Sequence, residues 1–334
     1  MLLEIEEQQF GIDLIDKPVH EVRGVSEYQV SNKEEIERLQ EEFNSSFLQT
    51  IEWAEFKTQK EGVRPYYLVF KDGSSISGYT VLLMQRRSIF KKELYIPRGP
   101  VLRNPSQFEG AVVSIEDFAK KQHVLSLKIE PDFGEETLDN IDYQSILRKY
   151  KKVDHDVGVQ PTKVALLKIG SRDEMERQMD SKHRGRVKNK FDLKLRENET
   201  VENFFSVYSD TSERKHFTKR DITYFKDMQR FLKDKAKLFG VYSENTLIAA
   251  SFDILHGDTL TYLYSGSLRE YNNMYPGYFL VFESALAMRD RGALVMDLWG
   301  VSDDNPAWKG FSDFKRNMGS HVVNFPGSFE NVLK

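Results

Sequence analysis

The stretch Tyr262-Leu263-Tyr264-Ser265-Gly266-Ser267 reads as a strand that ends at a glycine, and Tyr95-Ile96-Pro97-Arg98-Gly99 is its earlier counterpart. Tyr95 lies four residues before Gly99 and thirty-five before Glu130 (130 − 95); Tyr262 lies four before Gly266 and thirty-five before Asp297 (297 − 262). In both places an irregular loop and a helical pattern follow the glycine, over about 106–122 and 277–291, and a return strand (124–129 or 294–298) delivers the acid. Working outward, the first copy opens with Ser31-Asn32-Lys33-Glu34, a capping-box form, and with Ile36, Leu39 and Phe43 at helical spacing. A second short helix carries Trp53, Phe56 and Lys57. Strands follow at 66–70, 79–84 and 94–96, with Asp72-Gly73 as a turn. The second copy repeats the order: helices near 201–213 and 221–235, then strands at 238–242, 247–255 and 260–264. The expected fold class is α/β, in mixed (α+β) sheets, built as one unit used twice.

At about 150 residues per domain, 334 residues suit two domains. Pro161-Thr162 interrupts the pattern and opens a strand at 164–169, which puts the expected domains at 1–155 and 156–317. The tail, about 318–334, includes a strand at 321–325 before Pro326 and is a candidate to cross back to the first domain. The 48 Lys and Arg against 52 Asp and Glu leave a charge of −4, which excludes a wholly basic nucleic-acid coat but not a basic patch. With no cysteine, thiol nucleophiles, disulfides and thiolate metal sites are excluded, and seven His offer little for a zinc cage, so no metal is expected. Met1 to Phe10 lacks the basic and apolar regions of a signal peptide, and no apolar run approaches ~20 residues. A cytoplasmic location is expected.

The most uneven charge runs from Ser181 to Arg196, with seven Lys and Arg against Asp192 before Glu197 is reached. Lys182, Arg186 and Lys190 are four apart, so a helix over 181–196 would align them, with Arg184 and Lys188 alongside. Such a stripe suits phosphates; the same charges would also suit a solvated helix face. In 213–225, Thr218 is placed to cap a helix beginning near Asp221, which would set Arg220 at a helix N-terminus as an anion site; an ordinary cap with surface charges is the alternative. Asp297 ends a buried-looking strand, where ligand sites in α/β sheets favour the C-terminal edge. Beyond it, Phe311, Phe314 and Met318 have helical spacing and are expected to pack inward, leaving Lys315 on another flank.

No phosphate-binding Gly-rich loop with Lys-Ser/Thr, no His-Glu-x-x-His and no Gly-x-Ser-x-Gly occurs. The two units resemble acetyltransferase-like (GNAT) domains in the order of strands and helices. Members of that fold family take acyl groups from coenzyme A through a basic, Gly-rich loop before the crossover helix. Here that stretch is Tyr271-Asn272-Asn273-Met274-Tyr275-Pro276-Gly277, with one glycine and no cation, which argues for another donor.

With these segments laid out, the chain resembles the FemABX family of peptidoglycan bridge-forming aminoacyltransferases. The resemblance rests on Thr50-Ile51-Glu52-Trp53-Ala54-Glu55-Phe56-Lys57, Ile96-Pro97-Arg98-Gly99-Pro100-Val101, the basic run 181–196, the segment 217–224, Tyr262 to Ser267, and Asp297 through Phe314-Lys315. No heptad run long enough for the coiled-coil arm of some members is present. The resemblance implies tandem acetyltransferase-like domains and transfer of an amino acid from aminoacyl-tRNA, as co-substrate and without further cofactor, to a stem-peptide amine. The acceptor would be a UDP-linked or lipid-linked muramyl pentapeptide, the latter entailing contact with the inner membrane face. It implies that Lys315, following Phe314, stabilises the oxyanion, and that Lys57, Thr218, Arg220, Tyr224 and Tyr264 bind the acceptor. Lys182, Arg184, Arg186, Lys188 and Lys190 would face tRNA. Asp297 and Glu130 are candidates for acid–base work, Glu130 standing where a relative has Asp; a tyrosine of one member's acceptor site falls on Leu125. An N-acyltransferase using coenzyme A, or a non-catalytic RNA-binding protein, are the other readings.

Overall fold

The computed structural model describes residues 24–25, 27–86, 91–134, 146–153, 160–215 and 218–333. The first half runs β1 (Glu27–Val30), α1 (Lys33–Glu42), α2 (Ile51–Glu61), β2 (Arg64–Asp72), β3 (Ser75–Arg86), β4 (Lys92–Ile96), β5 (Val101–Leu102), α3 (Phe108–Lys121), β6 (Ser126–Ile129) and β7 (Lys151–Val153). The second begins with β8 (Lys163–Lys168), α4 (Arg172–Gln178), α5 (Ser181–Arg184), β9 (Lys194–Glu197), α6 (Val201–Lys215) and α7 (Ile222–Leu232). It continues through β10 (Ala236–Ser243), β11 (Thr246–His256), β12 (Thr259–Ser267), α8 (Pro276–Arg289), β13 (Val295–Gly300), α9 (Lys309–Asn317) and β14 (His321–Asn324), and the chain closes with β15 (Ser328–Val332). Local chemistry explains the ends that matter for the site. Thr50 accepts from the Trp53 N–H to start α2, and Gly62, in the left-handed region at φ 66°, closes it, so Trp53, Phe56 and Lys57 are carried on a three-turn helix.

Two mixed sheets share one topology. The order β1-β2-β3-β4-β6-β15-β7 in the first matches β9-β10-β11-β12-β13-β8-β14 in the second. In each, an antiparallel run leads through a crossover helix to a parallel strand, β4 to β6 by α3 and β12 to β13 by α8. The equal thirty-five-residue spacings do not mean equal register. Ile96 faces Ile129, an offset of 33 (129 − 96), whereas Thr261 faces Asp297, an offset of 36 (297 − 261). Asp297 therefore lies in the last paired rung, and Glu130 lies just past it.

The tail divides. β14 pairs with β8 in the second sheet, and only from Ser328 does the chain enter the first, where β15 lies between β6 and β7. The expectation for 318–334 is corrected accordingly: the crossing is made at 325–327. Helix α3 covers one face of the first sheet, around Leu82, Ile96, Phe108 and Phe118, and α8 covers one face of the second, around Leu260, Leu280 and Met296. A third core joins the halves: Phe47, Trp53 and Phe56 interleave with Phe204, Phe225 and Phe252. Burying each such ring contributes about 1.5–3 kcal/mol. Lys60–Asp227 (2.7 Å) and Lys235–Glu52 pair at its rim. Among the described residues, no helix is long and apolar enough to cross a membrane.

Candidate active site

Strand β13 ends in an unusual turn that builds half of the site. Trp299 adopts φ 65°, and its N–H donates to Asp297 Oδ1 at 2.7 Å. The next carbonyl, of Gly300, accepts from Lys315 Nζ at 2.7 Å. Only glycine fits there, because a Cβ would stand 2.9 Å from Pro161 and 3.3 Å from Trp308. Lys315 reaches in from α9 with its ammonium 5.2 Å from the Phe311 ring. Burial pushes this lysine down to about 8, and the Asp297 carboxylate works against that shift. Burial raises Asp297, while the Trp299 N–H, Arg98 and Lys315 favour its anion. Phe314 packs edge-on against Tyr278 of α8 at 4.9 Å, so it anchors α9 to the crossover helix. Met318 is buried, but Phe311 is 40% exposed, which corrects the expectation that all three apolar residues pack inward.

The first half completes this centre with two residues that sequence reasoning did not assign to it. Arg98, 4% exposed and at φ 45°, donates from Nη2 to the Pro161 carbonyl at 2.6 Å. Its guanidinium lies 3.5 Å from the Phe325 ring centre, and Nε stands 3.9 Å from Asp132 Oδ1. Burial raises Asp132 to about 6, opposed by Arg98 and reinforced by the Asp297 charge. The only sequence signal for Arg98 was its place in Ile96-Pro97-Arg98-Gly99-Pro100; nothing marked Asp132. Glu130 is 3% exposed, and its carboxylate accepts from the Tyr95 and Ser328 hydroxyls. Tyr95, which also accepts from Gln160 Nε2 at 3.2 Å, is the member of that set that lines a cavity.

That cavity, about 620 Å³, is floored by Tyr95 of β4, Lys128 of β6 and Glu330 of β15, and walled by Trp53 and Lys57 of α2 and by Gln160. Lys57 pairs with Glu61, and burial, helped by the Arg220 charge, pushes it down to about 8. Arg220 donates its N–H to Tyr208 Oη at 3.3 Å and holds its guanidinium 4.9 Å from the Tyr224 ring centre. Tyr224 and Tyr264 join hydroxyls at 3.2 Å. Lys57, Arg220, Tyr224 and Tyr264 thus gather where α2 meets α7. Thr218 does not cap α7: Asp221, directly before the first helical residue, accepts from the Tyr224 N–H at 2.8 Å, and Thr218 is exposed. His216 and Phe217 lie outside the described residues. Between this cluster and the Asp297–Lys315 centre runs an aromatic wall, Trp53–Phe47–Trp299, with ring centres 5.1 and 5.9 Å apart.

The helix expected over 181–196 is not formed. α5 stops at Arg184, and the chain turns before β9. The buried positions are His183, Val187 and Leu193, and no buried residue stands at 190 or 191 to carry an apolar stripe from Val187 through a helix. The Asn189 side chain exchanges bonds of 2.8 and 2.7 Å with the Leu193 backbone, and Asp192 sits at φ 50°. Lys182, Lys188 and Lys190 remain exposed. Arg184 turns back to the carbonyls of Met179 (3.0 Å) and Arg177 (3.2 Å). Arg186 donates to Tyr278 Oη at 2.6 Å and lies 5.1 Å from the Tyr275 ring centre, so a cation does reach the crossover loop, from a distant segment. Among the described residues no group of three His, Asp or Glu is placed to hold a metal ion.

Two acetyltransferase-like sheets, with an ammonium and carboxylates at their seam, define an acyltransferase class. The chain belongs to the FemAB family, which it matches over residues 32–242 and 237–334. It is similar to the lipid II:glycine glycyltransferase of Staphylococcus aureus, 21% identical over 91% of this chain and 92% of the relative. A crystal structure of FemX superposes with a TM-score of 0.81 at 18% identity, covering 92% of this chain and 97% of FemX. A tandem GNAT protein from the clavulanic acid biosynthesis pathway shares the fold, with a TM-score of 0.52 at 9% identity over 92% and 98% of the two chains. The protein is an aminoacyltransferase.

Proposed function

We propose that the protein transfers an amino acid from aminoacyl-tRNA to the side-chain amine of a peptidoglycan precursor stem peptide. The single observation that carries this reading is the Lys315 ammonium, fixed on the Gly300 carbonyl beside Asp297. In the reaction, the acceptor amine attacks the ester carbonyl carbon, the C=O electrons move onto oxygen, and Lys315 stabilises that oxyanion. Collapse breaks the ester bond and releases the ribose oxygen, which takes up a proton as a hydroxyl. The amine's proton passes to a seam carboxylate, Asp297 or Asp132. A lysine near 8 is about nine-tenths protonated at pH 7, so the stabilising charge is present at neutral pH. Lys57 and Arg220 would hold the acceptor's diphosphate, with Thr218, Tyr224 and Tyr264 as neighbouring binding positions, and the exposed Lys182, Lys188 and Lys190 would meet tRNA phosphates. The Staphylococcus relative's name supports a lipid-linked acceptor, which would bring the protein to the inner membrane face; the UDP-linked form is the soluble equivalent.

Arg186 at the crossover loop keeps coenzyme A as a second donor to be tested. The assay pools labelled aminoacyl-tRNAs with UDP-linked or lipid-linked muramyl pentapeptide and weighs the product; acetyl-coenzyme A forms a parallel arm. Lys315→Met is expected to fold normally and lose about 10²–10³-fold in transfer. Near-normal transfer by that variant, or transfer from coenzyme A alone, removes the reading.

A further inference from the structure

We infer that Arg98 is the positioning residue of the acyl-transfer centre: one buried guanidinium joins the loop after β4 to the chain entering the second half and the chain leaving it, pairs with Asp132, and sets its positive charge towards Asp297. The inference rests on the functional reading above. Its geometry is independent of that reading. The Pro161 carbonyl belongs to the segment that leads into β8, Phe325 to the segment between β14 and β15, and Asp132 to the segment after β6. All three meet a side chain that is 4% exposed on a backbone at φ 45°. A non-glycine residue persists in that conformation only where its surroundings hold it. An arginine suits the task because its planar fork can donate in-plane while an aromatic ring covers one face.

The consequence is electrostatic. Asp132 is faced by Arg98 and by Asp297; Asp297 is faced by Arg98, Lys315 and the Trp299 N–H. Arg98 also acts on Tyr95, whose hydroxyl donates to Glu130. Two carboxylates from different halves repel, and burial disfavours both anions; the guanidinium offsets both effects. Without it, both carboxyls would keep their protons to higher pH and would be poorer acceptors of the proton that the amine nitrogen sheds after attack.

The experiment compares Arg98→Met and Arg98→Lys with the parent protein in two readouts. In the free protein, the Asp132 side-chain carboxyl is followed by ¹³C NMR against pH. In the transfer assay, kcat and KM are followed against pH. Arg98→Met is expected to move the Asp132 titration and the acid limb of kcat upward by about half a pH unit or more, and to lower kcat at least ~10-fold with KM for the acceptor little changed. Arg98→Lys keeps the charge and is expected to leave the acid limb near its original position. A clamp of purely structural importance would lower Tm and leave both pH profiles unmoved; that result, or equal movement in the Lys and Met variants, overturns the inference. If Arg98→Met does not fold, Arg98→Gln removes the charge while keeping a polar side chain, and an acid limb that stays at the parent's position there overturns the inference as well. A parent protein that shows the Asp132 response but no transfer from any aminoacyl-tRNA defeats the functional reading instead.

Discussion

Lys57 and Lys315 are both brought to about 8 by burial, yet different charges stand against them: Arg220 pushes Lys57 further down, whereas Asp297 holds Lys315 up. Lys57, paired with Glu61 but facing the like charge of Arg220, is therefore a cation that an incoming diphosphate stabilises further, and Lys315 is one that a buried carboxylate already supports. The acceptor's affinity is expected to fall as pH rises through 8, where Lys57 loses its proton. In Arg220→Met the like charge is gone, Lys57 stays protonated to higher pH, and the midpoint of that fall moves up even though affinity is lower throughout. Calorimetry with UDP-linked muramyl pentapeptide at pH 7 to 9.5 measures it, and an unmoved midpoint excludes the coupling. Lys57, Arg220 and Lys315 were singled out through their motifs, with an anion site expected at Arg220, but the charges that face them were not legible. Arg220 is 163 positions from Lys57 (220 − 57), and no local pattern reports which distant charge faces which. Arg98 and Asp132 were missed for the same reason: their partners, Pro161, Phe325 and Asp297, come from three other parts of the chain.

At the scale of elements, the helices that carry Ile36, Leu39 and Phe43 and then Trp53 and Phe56 were readable from their apolar period. The first is capped by Asn32, one residue later than the Ser31 box suggested, whereas α4, capped by Ser171, is too short to show a period and was not read. The basic run shows what happens when only one of these signals is present. Charges four apart suggested a helix, but without an apolar stripe the segment found other partners: Asn189 with Leu193, Arg184 with two carbonyls, Arg186 with Tyr278. Its cations therefore divide into two groups with different expected roles. Replacing exposed Lys182, Lys188 and Lys190 together by Glu is expected to weaken tRNA binding and flatten its salt dependence, by roughly 0.7–0.9 in log–log slope per lost phosphate contact, with Tm unchanged. Arg184→Glu is expected to act mainly on stability, costing about 1–3 kcal/mol, because it breaks the half-buried return to Met179 and Arg177. Filter binding at several salt concentrations and thermal unfolding separate the two. Equal binding losses from both variants would mean that the division is wrong.

For the whole molecule, the repeat was visible in sequence, but the exchange of its last strand was not, because a strand's partner lies in the tertiary fold and both sheets offer an edge beside their parallel strand. The first sheet takes β15 into the position that β8 fills in the second, so the end of the chain is an interior strand of the domain that begins it. It brings Ser328 to Glu130, Glu330 to the cavity floor, and the Ser126 hydroxyl into a 2.6 Å bond with Glu330. Removing 328–334 should thus act at a distance from the deletion in sequence but locally in space. Amide exchange is expected to rise in β6 and β7, which lose their shared neighbour, while β10, β11 and β12 stay protected. Acceptor binding should be lost and tRNA binding retained, since the cavity belongs to the first half and the exposed lysines to the second. A synthetic peptide covering 326–334, supplied in trans, should restore both protection and acceptor affinity by adding the missing strand. If the shortened chain binds the acceptor as tightly as the full one, the tail is a packing element only, and the cavity that Glu330 helps to floor is not the acceptor's.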